Sequence, residues 1–238
     1  MKITLFSANQ SRHNYLINLL SKNCHKLFVV QENTYFNPVH YSTSKIMENY
    51  FNNVTNAQTK LFGNSFDNKK KNVKLLSLKA GNLSKCSTEF LSDFLKSDIY
   101  IVFGSSYIKG DLLKFLIKNK AINIHMGISP YYRGTDCNFW ALYDDNPHLV
   151  GATIHMLSKG LDSGPILYHA LSNLKTNPFE YTMSTVKSAF YSLVERIKNE
   201  SIFNIKPEPQ DKKKEIRYSK KDEFTEEVVK KFLNKKIN

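Results

Sequence analysis

The sequence predicts an α/β protein: a mostly parallel sheet with flanking helices and a short C-terminal appendage. Three observations carry that expectation. Residues 2–7 are β-rich, a polar stretch and a set of apolar residues at helical spacing follow, and residues 25–30 are again β-rich. Strand, helix and strand in that order make a βαβ unit, which implies parallel pairing. Residues 98–104 (Asp98-Ile99-Tyr100-Ile101-Val102-Phe103-Gly104) form a nearly continuous apolar run ending at glycine, as a strand buried on both faces does. Helical and extended patterns then keep alternating to residue 199.

The elements follow in order. Lys2 to Ser7 is the first strand, and Tyr15 to Leu20 has helical spacing. His25 to Val30 is the second strand. Residues 43–63 predict a long helix, and 64–72 a polar, lysine-rich loop. A strand is expected over 73–78 and a helix over 88–95. Then come the strand at 98–104, a helix over 111–117 and a strand over 121–125. A helix starting at Thr135 carries the one tryptophan, Trp140, as a core residue. Strands are expected over 150–157 and 166–170, and a helix over 178–199. Pro207-Glu208-Pro209 breaks regular structure, a lysine run follows, and 223–233 has amphipathic helical spacing. The expected division is a Rossmann-like domain over 1–205 and an appendage over 206–238, a candidate dimer contact.

Composition sets outer limits. A chain of 238 residues can bury a core without disulfides or metals. Cys24, Cys86 and Cys137 are scattered and fit no metal-ligand spacing, so no metal is expected. No apolar run is long enough to span a bilayer, and no secretory signal is visible, so a cytoplasmic protein is expected. The net charge of +13 favours anionic partners, though lysine spread along the whole chain gives the same excess.

The segment Ala121-Ile122-Asn123-Ile124-His125 departs from the buried-strand pattern. Strand side chains alternate, so Asn123 and His125 share one face while Ile122 and Ile124 share the other. Two polar groups at the carboxyl end of a sheet strand lie where open α/β sheets bind ligands. The loop Met126-Gly127-Ile128-Ser129-Pro130-Tyr131-Tyr132-Arg133-Gly134 follows, with Arg133 a fixed cation suited to carboxylate or phosphate. Gly151-Ala152-Thr153-Ile154-His155 repeats the alternation, and His155 either supports a site or serves the core. Asp162 sits in the turn Gly160-Leu161-Asp162-Ser163-Gly164-Pro165-Ile166; alone it reads as a turn-forming residue.

Taken together, Asn-x-His with its proline- and arginine-containing loop, Gly-x-Thr-x-His, and Gly-Leu-Asp-x-Gly-Pro-Ile resemble the folate-dependent formyltransferases across residues 98–170. Three ordered motifs are more specific than any one. The resemblance implies that Asn123, His125 and Asp162 are catalytic. It implies N10-formyltetrahydrofolate as the formyl donor, and a donor loop at Phe103, Gly104, Ser105, Ser106, Tyr107, Ile108 and Lys109. In such a reaction an amine attacks the formyl carbon and a tetrahedral oxyanion forms. Asn123 has the N–H donors that stabilise one, an effect worth about 3 kcal/mol. Either His125 or Asp162 takes the proton from nitrogen. A neighbouring carboxylate would favour imidazolium at His125.

The acceptor is narrowed by length and insertion. The tail after Pro209 has about thirty residues, too few for an independent tRNA-binding domain. The stretch Ser7-Ala8-Asn9-Gln10-Ser11-Arg12 lacks the glycines of a phosphate loop. The helix around Tyr50 to Gly63 and the tail around Ile216 to Asp222 look like the sugar N-formyltransferases. The resemblance therefore implies a nucleotide-linked amino sugar, such as a dTDP-4-amino-4,6-dideoxyhexose for O-antigen or another surface polysaccharide. Asn9, Ser11, Arg12 and Arg133 are candidates for its nucleotide end. A homodimer is implied, while neither membrane nor nucleic acid is an expected partner. Glycinamide ribonucleotide and methionyl-tRNA are the alternative acceptors, hydrolysis of the formyl-folate another reaction, and an RNA-binding protein on this scaffold the non-enzyme reading.

Overall fold

The computed structural model describes residues 1–34, 44–63 and 70–235. Residue 43 of the expected long helix and residues 64–69 of the expected loop lie outside the described residues.

Seven strands form one sheet in the order β3-β2-β1-β4-β5-β7-β8. The strands are β1 (Lys2–Ser7), β2 (Lys26–Asn33), β3 (Val73–Lys79), β4 (Ile99–Phe103), β5 (Ile122–His125), β7 (Ala152–Met156) and β8 (Ile166–Ala170). The first five pair in parallel. The last two pair antiparallel, β7 on β5 and β8 on β7. The expectation of a mostly parallel α/β sheet holds. Between them run α1 (Ser11–Ser21), α2 (Lys45–Phe62), α3 (Gly110–Lys118) and α4 (Cys137–Tyr143), and α5 (Pro178–Lys198) follows β8.

Apolar residues cover both sheet faces. On β1, Ile3 and Leu5 face one core with Leu16, Ile17, Phe190 and Leu193, while Phe6 faces the other with Val30, Leu112 and Leu116. Two-sided burial is why these strands read as continuous apolar runs. The helix expected over 88–95 does not form. Turn residues and a single 3₁₀ turn, Ser92–Leu95, stand there instead, and a second 3₁₀ turn, Leu83–Lys85, precedes them. Leu91, Phe94 and Leu95 are buried whereas Phe90 is 63% exposed. A stretch this short gains too little from one buried edge to offset helix nucleation.

Two short strands had no periodic signal: β6 (Tyr132–Gly134) and, from the tail, β9 (Arg217–Ser219), which pair in parallel. The tail then forms α6 (Glu226–Leu233), whose Val229 and Phe232 are buried in the larger core. Phe232 meets Phe139 at 4.6 Å between ring centroids and Tyr50 at 6.2 Å. Among the described residues no helix is long and apolar enough to cross a membrane, and none cluster as a metal site.

The order of strands fixes where a ligand can sit. Chain direction along the sheet reverses at β1, whose neighbours are β2 on one side and β4 on the other. The loops leaving β1 and β4 therefore diverge and open a crevice at the strands' carboxyl ends. Ser7 and Phe103 are paired there, and the Ser7 hydroxyl donates to the Phe103 carbonyl at 3.0 Å.

Candidate active site

A cavity of about 1220 Å³ opens over that crevice. Asn123, His125 and Asp162 line one part of it, with His155 beside them. The register sets Asn123 opposite His155 and His125 opposite Thr153, so the polar faces of β5 and β7 meet. Thr153 works behind the site: its hydroxyl donates to the Gly127 carbonyl at 2.6 Å and accepts from Ser129 N–H at 2.9 Å. A side chain at Gly127 would stand 2.5 Å from Cys137 Cβ and 2.7 Å from His125 Nε2, so only glycine lets the loop pass.

The polar groups form a chain. His155 Nδ1–H donates to the Met156 carbonyl at 2.9 Å, which leaves Nε2 as an acceptor. The Asn123 amide donates to that Nε2 at 2.9 Å. Its other hydrogen reaches Asp162 Oδ1 only at 3.4 Å, and a better acceptor can take it. Asp162 Oδ2 lies 3.3 Å from His125 Nδ1 as an ion-pair contact, while His125 Nε2 lies 3.4 Å from the Tyr132 carbonyl. Asp162 stands in the left-handed region (φ 46°), which aspartate tolerates better than most residues.

Burial decides the charges. It pushes His125 below its ordinary pKa, outweighing Asp162, which pulls it up; His155 and Arg133 push it down further. The imidazolium expected from the sequence is thus not favoured, and a neutral ring is. For Asp162, burial pushes the carboxyl up, but His125, His155 and Arg133 together hold it below the usual range. The pair rests as neutral imidazole and carboxylate.

The expected donor loop lines the cavity from Phe103 to Ile108; Lys109 does not, and its ammonium lies over the Tyr107 ring at 5.5 Å. Glu32, buried at the end of β2, ties this loop down. Its carboxylate accepts from Ser106 N–H at 2.6 Å, Ser106 Oγ–H at 2.9 Å, Gly81 N–H at 2.8 Å and Leu83 N–H at 3.1 Å. Nothing in local sequence marks Glu32, because its partners are 49 to 74 residues away.

Asn9, Ser11 and Arg12 also line the cavity. Arg12 donates to Gln58 Oε1 at 2.7 Å, while its Nε–H is buried without a protein partner. Burial lowers this guanidinium's pKa to about 10, against the pull of Asp136. Arg133 is placed elsewhere. It does not line the cavity; it pairs with Glu215 at 2.8 Å and donates to the Leu161 carbonyl at 3.0 Å. Sequence reasoning also missed an aromatic wall of Tyr50, Phe51, Phe139, Phe179, Phe224 and Phe232. Two of those rings come from the tail, and three-dimensional proximity alone assembles them.

Known proteins can now be set beside this geometry. The family model described as "Formyl transferase" matches residues 1–196. A methionyl-tRNA formyltransferase of Thermosynechococcus vestitus is 33% identical over 73 residues, 31% of this chain and 22% of that protein. The chain thus aligns with about a fifth of that relative's length. The formyltransferase PseJ of Anoxybacillus kamchatkensis, solved with UDP-4,6-dideoxy-4-formamido-L-AltNAc and tetrahydrofolate, is similar with a TM-score of 0.56 at 19% identity, over 98% of this chain and 97% of that one. An N-formyltransferase of Helicobacter canadensis, solved with folinic acid and dTDP-3-aminofucose, gives 0.57 at 13% identity, over 97% and 79%. Likeness at these identities concerns the fold.

Proposed function

We infer that this chain, which belongs to the formyl transferase family, moves a formyl group from N10-formyltetrahydrofolate to the amine of a nucleotide-linked amino sugar. One observation carries the reaction: Asn123, His155, Asp162 and His125 form one contiguous polar cluster, joined by two hydrogen bonds and an ion-pair contact, on the wall of a cavity large enough for two co-substrates. The amine attacks the formyl carbon. The Asn123 N–H now held at 3.4 Å turns to the developing oxyanion. Neutral His125 takes the proton from the attacking nitrogen, and Asp162 stabilises the imidazolium so formed; the tetrahedral intermediate then collapses, the C–N10 bond breaks, and the proton passes to N10 of the departing tetrahydrofolate. The donor's pterin lies against residues 103–108.

The acceptor end is read from Arg12 and the aromatic wall. Arg12 keeps a buried N–H for an anion, as a diphosphate provides. The aromatic wall suits a base or a deoxysugar methyl group. Two fold neighbours carry nucleotide-linked sugars, which supports the same class here, a dTDP-4-amino-4,6-dideoxyhexose first among them. A cytoplasmic setting suits such substrates. The exposed Ile216 and Tyr218 of the tail support a homodimer; elution at monomer mass at micromolar concentration would refute it.

The deciding experiment supplies N10-formyltetrahydrofolate with dTDP- and UDP-linked 3- and 4-amino sugars, glycinamide ribonucleotide and charged initiator methionyl-tRNA. Formylation confined to an amino sugar supports the reading. Turnover on glycinamide ribonucleotide or methionyl-tRNA alone overturns the acceptor, and donor consumption without any amine points to hydrolysis.

A further inference from the structure

We propose that the C-terminal segment beyond residue 206 is a working part of the active site, with Gln210 the positioning residue that holds the Asp162 turn. This rests on the reading of Asp162 given above. Gln210 donates both amide hydrogens to the turn, one to the Asp162 carbonyl at 2.8 Å and one to the Gly164 carbonyl at 2.7 Å. Two carbonyls can be bridged only by a pair of donors, so the orientation of the amide is fixed. Its own Oε1 is left buried without a partner, a penalty accepted for the sake of that bridge.

The turn needs holding. Asp162 has a left-handed backbone, which is unfavourable for a residue with a side chain. Its carboxylate must meet His125 on one oxygen and Asn123 on the other. The tail fastens the turn from several sides. Ile166 and Glu208 exchange backbone hydrogen bonds at 2.7 and 2.8 Å just after the turn. Glu215 orients Arg133, whose other amino group donates to the Leu161 carbonyl. On the inner side, a Cβ on Gly164 would lie 1.7 Å from the Met156 carbonyl oxygen, the atom that fixes the His155 tautomer. A shift of the turn therefore reaches both Asn123 and His125. The family match ends at residue 196, so this clamp is supplied by the part of the chain outside it.

Gln210→Met keeps the volume and removes both donors; Gln210→Glu sets a carboxylate against two carbonyls. The test combines each with Asp162→Asn in full-length protein. It reads kcat and KM on the best amino sugar of the panel, and the His125 titration by NMR on histidine-labelled protein. His125 faces Asp162, His155, Arg133 and the Tyr132 carbonyl; Asp162 is the larger of the two influences that raise its pKa, the Tyr132 carbonyl being the other. With Asp162 intact, Gln210→Met should lower kcat about tenfold with both KM values within twofold, and lower the His125 midpoint by about half a unit. Gln210→Glu should do more. In the Asp162→Asn background neither change should lower kcat or the midpoint further. Equal losses in both backgrounds, or loss of thermal stability without the His125 shift, overturn the clamp. An unaltered His125 midpoint in Gln210→Met overturns it without any need for an acceptor. If Asp162→Asn alone leaves kcat and the midpoint unchanged, the role of Asp162 falls, and the clamp with it; the single variant separates that failure from the other.

Discussion

Asp162→Asn is the substitution that separates charge from shape at this site. Asparagine is isosteric and adopts left-handed backbone readily, so the turn at φ 46° is kept. What changes is the partner of His125. The carboxylate 3.3 Å from Nδ1 becomes a neutral amide, and the imidazolium formed on proton transfer loses its counter-charge. A general base in such a place contributes about 10²–10⁴ in rate, or roughly 3–5 kcal/mol. The amide also turns an N–H either toward His125 or toward Asn123, where an acceptor stood before. The expected result is a fall in kcat of about 10³ with unchanged KM values and a melting temperature within a few degrees. The pH profile adds a sign. His125 acts as a base in its neutral form, and burial already sets its pKa below 6.5. Activity should therefore be at its plateau by pH 7 and fall as pH drops below that depressed value. Removing Asp162 removes the largest influence that raises His125, so the limb moves to lower pH while the plateau drops. Stopped assays of formate-labelled product across pH 5–9 measure both. A kcat within threefold of the parent, or a limb displaced to higher pH, would refute the reasoning.

Three further outcomes follow from the same geometry. Arg12→Met removes a buried cation with one N–H kept for an anion, and should raise the acceptor KM about 10–100-fold, equivalent to roughly 1.5–3 kcal/mol, with the donor KM unchanged; an unaltered acceptor KM would remove Arg12 from the site. Glu32→Gln leaves one oxygen where two served four donors, so the donor loop loosens; the dissociation constant of 5-formyltetrahydrofolate, followed by calorimetry, should rise about tenfold while dTDP binding stays the same. Phe232→Ala opens a hole beside Phe139, Phe179 and Tyr50 and should lower unfolding free energy by about 3–5 kcal/mol in denaturant titration; a loss under 1 kcal/mol would mean that α6 is not part of the core.

Asn123 and His125 could be found from sequence because strand alternation is a local rule, and two polar residues on one face of a buried strand break it. The same rule marked Thr153 and His155, yet it could not give His155 a partner. That came from the β5–β7 register, which sets His155 opposite a residue 32 positions away. Asp162 carried no physical signal of its own, since an aspartate between glycines is an ordinary turn; resemblance alone singled it out. Arg133 shows the reverse limit. Its charge was visible, but its Glu215 partner is 82 residues distant, so its distance from the cavity could not be read. The short β6–β9 pair and the 3₁₀ turns over 83–95 were illegible for a related reason, because three or four residues hold no period to detect.

The change of strand direction at β5 explains why the chemistry gathers where it does. On one side β5 pairs with β4 in parallel, so the loop after β4 rises at the same end as His125 and can line the cavity beside it. On the other side β7 runs antiparallel, so the chain enters β7 near His125 and leaves it past His155, beside Asn123 and turned back toward the sheet. The turn that follows starts beside the first residues of β5 and folds back along that strand, so that Asp162 lines the same cavity and meets His125. One parallel and one antiparallel neighbour thus bring a donor loop and an acid-bearing turn to the same two side chains. In an all-parallel sheet, the connection after the neighbouring strand would lead into a crossover helix, and the Asp162 turn could not fold back at this place. The antiparallel pair is therefore what lets Asp162 meet residues that precede it by 37 and 39 positions, and the tail, through Gln210, is what holds it there.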